Sequence, residues 1–111
     1  MPISVPWRVR AVILAVHANL DDPGTSSLWW WCPGCDDAHR IITPRWSWNR
    51  SSEAPTFSPS VLCTATWGDE FGGDRRCHCF VRDGKIQFLG DCTHRLAGQT
   101  VEMVELPEWL R

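Results

Sequence analysis

The chain has 111 residues, a formal net charge of −2 and a 43% hydrophobic share. That length supports one small core, so a single domain over residues 1–111 is expected. The near-neutral balance argues against generic nucleic-acid binding, which usually carries a basic excess.

Val9 to Val16 is predicted as a strand, β-branched and apolar on both faces. With Arg8 and Arg10 ahead of it, the run could also open a secretory signal. It is short and follows Pro6 and Trp7, so a buried strand is the preferred reading. It is far too short to span a bilayer. A chain that is not exported keeps its thiols reduced, which favours metal over disulfides. Asn19 to Gly24 is turn chemistry. Ser27 to Trp31 reads as a second strand, with Trp29 and Trp31 on one face and Trp30 on the other. Eight Trp and no Tyr imply that most of these indoles fill the core. His39 to Thr43 is a third strand, ending ahead of Pro44. Arg45 to Asn49 alternates, so Trp46 and Trp48 share a face. Pro55 to Ser60 is extended because two prolines prevent helix. Val61 to Thr66 is a strand, and Trp67 to Asp74 a tip loop.

Cys77–Val81 and Ile86–Leu89 flank Arg82-Asp-Gly-Lys85, a strong hairpin turn. Pairing Val81 with Ile86 sets Cys79 opposite Phe88 and Cys77 opposite Gly90. Cys92 then falls on the face of Cys77. His78 takes the other face, with Phe80, Leu89 and Asp91. Thr93 to Ala97 is expected to form one helical turn, capped by Asp91 or Thr93 and closed by Gly98. Thr100 to Val104 is a last strand, stopped by Pro107. The predicted fold is mainly β, a small β-rich α+β domain of zinc-ribbon-like antiparallel hairpins with one short helix.

Cys32-Pro-Gly-Cys35 has the spacing of a zinc knuckle: two intervening residues turn both sulfurs toward one ion. The open end of the hairpin gathers Cys77, Cys92 and His94. A structural Zn²⁺ site of Cys32, Cys35, Cys77 and either Cys92 or His94 is therefore expected, with His78 and His39 as further candidates. Cys63 and Cys79 read as buried apolar groups. A redox role for the knuckle lacks the βαβ context such motifs occupy.

No catalytic residue is assigned. Asp91 and Glu53 are candidate bases for a metal-bound water, and His78 or His39 could shuttle protons. The deaminase pattern, the His-Glu-x-x-His motif and phosphate-binding glycine loops are all absent from the sequence.

Several strings together resemble a known family. They are Trp31-Cys-Pro-Gly-Cys35 with His39, Trp46-Ser-Trp-Asn49, Pro55-Thr-Phe-Ser-Pro-Ser60, Cys77-His78 with Phe80, and Asp91-Cys-Thr-His-Arg-Leu-Ala-Gly-Gln-Thr100. Over about residues 28–109 the chain resembles small uncharacterised phage and prophage proteins often labelled "ammonia monooxygenase". That label describes a membrane-embedded copper enzyme, and nothing in this sequence spans a bilayer or offers a copper-type ligand set. The resemblance implies His94 rather than Cys92 as the fourth ligand, and it implies no particular activity.

The expected function is a non-enzymatic phage accessory or virion-associated protein. Such a protein would be a zinc-stabilised interaction module with a host or phage protein as partner, in the host cytoplasm or the virion. The alternatives are a zinc-dependent enzyme using Asp91, or a single-stranded nucleic-acid binder using Trp46, Trp48, Arg45 and Arg50.

Overall fold

A computed structural model describes residues 11–65 and 74–111. The start of the predicted first strand and the tip loop up to residue 73 lie outside these residues. The strands are β1 (Ala15–Ala18), β2 (Ser26–Cys32), β3 (Asp37–Thr43), β4 (Ser47–Trp48), β5 (Phe57–Ser58), β6 (Val61–Ala65), β7 (Arg75–Arg82), β8 (Lys85–Phe88) and β9 (Thr100–Glu102). They form three antiparallel sheets, ordered β1-β2-β3, β4-β5 and β6-β7-β8-β9. The fold is mainly β, as expected. A 3-10 turn that was not expected spans Glu108–Leu110. No helix among the described residues is long and apolar enough to cross a membrane.

A period of two decides what each strand buries. On β2, Leu28, Trp30 and Cys32 are buried while Trp29 and Trp31 are half-buried on the other face. Trp30 packs against Phe57 with ring centroids 5.3 Å apart. On β7, Cys77, Cys79 and Val81 point inward, and Arg76, His78 and Phe80 point outward. The inward residues of both larger sheets, with Phe57 of β5, form one core that includes Leu28, Ile41, Val81, Ile86 and Phe88. Burying each of these side chains contributes about 1.5–3 kcal/mol.

The β7–β8 register is the predicted one, with Val81 opposite Ile86 and Cys79 opposite Phe88. Asp83 and Gly84 turn the chain at φ of 50° and 74°, conformations that suit Asp-Gly in a tight hairpin. Gly84 is also buried, and its N–H donates to the Pro55 carbonyl at 3.0 Å. A Cβ there would press on Ala54 and the Glu53 carbonyl.

The helical turn expected at Thr93–Ala97 is instead a pair of tight turns. Ala97 N–H donates to His94 O, and Gln99 N–H to Leu96 O. Thr93 does not cap this segment, because its Oγ1 accepts from the Arg76 N–H at 3.0 Å.

Candidate active site and metal centre

Strand β7 serves two sites because neighbouring residues leave it on opposite faces. On the inner face, Cys77 meets the β2–β3 turn. Cys32 ends β2 and Cys35 sits in that turn, with its N–H donating to Cys32 Sγ at 3.3 Å. Cys32, Cys35, Cys77 and His94 bring their ligand atoms within 4.8 Å of one another. The Cys32 and Cys77 sulfurs are 3.8 Å apart. Two thiolates on a tetrahedral ion with bonds of about 2.3 Å would stand about 3.8 Å apart. All six cysteines are free thiols.

His94 is held in place from three sides. Its ring sits against Gly34 so closely that any Cβ at residue 34 would overlap it. Phe88 meets it edge-on with centroids 4.6 Å apart. The Leu96 N–H donates to Nδ1 at 3.2 Å, which leaves Nε2 buried and without a protein partner. A buried nitrogen without a partner is costly unless something else satisfies it. Three sulfurs and this nitrogen are a donor set compatible with a structural metal.

The thiols already share charge. Hydrogen bonds from Cys35 and Cys77 hold Cys32 well below the usual thiol range. Its contact with Cys32 pushes Cys77 up. His39 lies beside the group, with Nε2 buried and lacking a partner in good geometry. Burial draws its pKa down, but Cys32, Cys35 and Cys63 outweigh this and push it up to about 12. The other candidate ligands lie elsewhere. His78 is on the outer face of β7, and Cys92 turns its sulfur to the His78 backbone.

On that outer face a second constellation is assembled. Ser60 Oγ lies 3.1 Å from His78 Nε2, and His78 Nδ1 lies 3.2 Å from Asp91 Oδ2. With Nδ1 protonated toward the carboxylate, Nε2 is the acceptor for the Ser60 hydroxyl. Ser60 lies between β5 and β6, and His78 pairs across the sheet with Leu62, two residues further on. Asp91 follows β8 and also faces the Arg76 guanidinium at 3.8 Å. The linkage is partly open to solvent, with the His78 side chain 27% and the Asp91 side chain 42% exposed. Behind Ser60, its carbonyl accepts the Trp46 indole N–H at 3.2 Å. Trp46 also walls an open cleft of about 610 Å³, together with Ser47, Trp48, Arg50 and the turn at Asn19 and Leu20.

A hydroxyl, an imidazole and a carboxylate in this linkage are the nucleophile, base and orienting acid of acyl transfer. This linkage on a small antiparallel sheet is compatible with a serine-hydrolase-type centre. The chain belongs to the bacterial ubiquitination-like system serine proteases (BubE), a family whose profile matches residues 5–89. No curated protein and no solved structure matches the chain. The matched span contains Ser60 and His78 and ends two residues before Asp91.

This membership overturns the expectation of a non-enzymatic phage accessory or virion module, because the family is one of proteases in a bacterial system. It supports neither the phage assignment nor the ammonia monooxygenase label; what stands of the resemblance is membership in a family. Asp91 is engaged by His78 and Arg76 on the outer face, away from the inward-facing metal ligands it was expected to serve. Trp46 and Trp48 spend their indole N–H groups on the Ser60 and Ser51 carbonyls.

Ser60 was absent from the candidates drawn from sequence. The strand alternation already set His78 and Asp91 on one face. The serine stood in the extended Pro55–Ser60 string, but the dense cysteine pattern directed the search to metal chemistry.

Proposed function

We propose that this chain is a serine protease that cleaves a peptide bond in a protein of a bacterial ubiquitination-like system. The observation that carries the reading is the unbroken Ser60–His78–Asp91 linkage at 3.1 and 3.2 Å. Ser60 Oγ attacks the scissile carbonyl carbon while its proton passes to His78 Nε2. The C–N bond breaks, and His78 returns the proton to the leaving amine. Water then repeats the sequence, with His78 as base, and releases the acid and free Ser60. Asp91 holds the imidazole with Nδ1 protonated and stabilises the imidazolium. The cleft walled by Trp46, whose indole N–H reaches the Ser60 carbonyl, offers a recess for the chain leading to the scissile bond.

The ion of the inner face is Zn²⁺, held by Cys32, Cys35, Cys77 and His94. Closed sites with three thiolates and one imidazole are characteristic of structural zinc. It would hold the fold together and supply no reacting atom to the acyl transfer.

A fluorophosphonate probe tests the assignment. The folded protein should gain one adduct, mapped to Ser60 by peptide mass spectrometry, and Ser60→Ala should gain none. Equal labelling of the two proteins, or an adduct elsewhere, would reject the nucleophile.

A further inference from the structure

Resting on the protease reading above, we propose that the ion at Cys32, Cys35, Cys77 and His94 is the positioning device of the triad. It fixes the loop that carries Asp91 against the strand that carries His78, so hydrolysis requires the loaded site.

The two sites share two segments, β7 and the loop that follows β8. Cys77 directly precedes His78 on β7, and His94 follows Asp91 by three residues. Between Asp91 and His94 the loop is laced to β7. The Thr93 N–H donates to Arg76 O at 2.9 Å, and Thr93 Oγ1 accepts from the Arg76 N–H at 3.0 Å. Cys92 Sγ bonds both backbone groups of His78. Past Thr93 the chain departs from β7, and the next fixed point is the His94 ring, pressed on Gly34 of the knuckle.

An ion bonded to His94 and Cys77 would close the loop onto β7 at the point where the backbone lacing ends. Bonded also to Cys32 and Cys35, it would lock that end to the other sheet. Without the ion, His94 Nε2 stays buried and unpaired, a cost relieved when the ring swings out and takes the loop end with it. Asp91 is 42% exposed and depends on this loop for its place beside His78. A displacement of about 1 Å at a catalytic group can cost a hundredfold in rate.

The experiment measures the fluorophosphonate labelling rate at Ser60 alongside zinc content and circular dichroism. Protein stripped by a chelator should label about a hundredfold more slowly and recover when Zn²⁺ is restored. His94→Ala separates positioning from folding, since three thiolates remain to hold the ion; this variant should stay folded and label slowly. If it loses the ion, His94→Cys restores a fourth ligand and should restore labelling. Normal labelling of stripped protein, or of metal-loaded His94→Ala, overturns the proposal. So does metal-loaded His94→Cys that labels no faster than the alanine variant. Failure of the loaded wild type to label at Ser60 rejects the protease reading itself.

Discussion

The sulfur of Cys92 accepts a hydrogen bond from the backbone N–H of His78 and donates one to the His78 carbonyl, each at 3.2 Å. Burial pushes the Cys92 thiol up, so it keeps the proton it donates. This cysteine acts as a two-point clip between the Asp91 loop and the strand of His78, and it is absent from the four-residue group that includes His94. Cys92→Ala should therefore keep full zinc content. It should lose about 1–2 kcal/mol of stability for the two weakened backbone groups, with hydrolysis falling more than melting temperature suggests. Zinc loss in this variant would mean that Cys92 is a ligand.

Asp91 faces two cations, and the geometry ranks them. The His78 contact is a hydrogen bond of 3.2 Å, whereas Arg76 lies 3.8 Å away with half its side chain in water. Exposed pairs of that kind contribute about 0–1 kcal/mol. Asp91→Asn should lower kcat by about 10⁴-fold while leaving the fold intact, as loss of the orienting carboxylate does in other triads. Arg76→Ala should change kcat by less than about fivefold. Steady-state kinetics on one peptide substrate reads both, and a mild effect of Asp91→Asn would remove Asp91 from the triad.

The hairpin was legible because two local rules agree there. The Asp83-Gly84 turn fixes the register, and a period of two then assigns every side chain to a face, including His78 and Asp91. The knuckle was legible for a similar reason, since four residues carry both its ligands and its turn. Ser60 was not legible. It reaches His78 across 18 residues of chain, through the turn after β5 and the β6–β7 pairing, and no local pattern announces that contact. Thr93 misled for the opposite reason. Its cap chemistry is real, but the Arg76 N–H across the sheet supplies the partner that a helix N-terminus would otherwise provide.

Trp46 braces the proposed nucleophile from behind through its indole N–H on the Ser60 carbonyl. Trp46→Phe keeps an aromatic wall but deletes the donor, together with part of the ring volume packed against the core. It should cost about 1 kcal/mol of stability and reduce kcat more than it raises KM, since the lost bond orients Ser60 rather than holds substrate. Thermal melts and kcat/KM measured together check this. A change confined to KM would make Trp46 a substrate contact of the cleft instead.

Geometry separates the cysteines of the proposed metal site from the others, and serine substitutions should expose the division. Cys32→Ser removes a thiolate whose hydrogen bonds already favour its charged form. At the proposed site metal affinity would be folding free energy, so zinc content should drop. Melting temperature should fall by more than about 10 °C, taking roughly 4–8 °C per kcal/mol for a domain of this size. Cys63→Ser lies outside the four-ligand group and is only half-buried, so it should keep its zinc and melt close to the wild type. Zinc analysis of the purified variants decides the matter. Retention of zinc by Cys32→Ser would show that the tight cluster on the inner face of β7 is not its binding site.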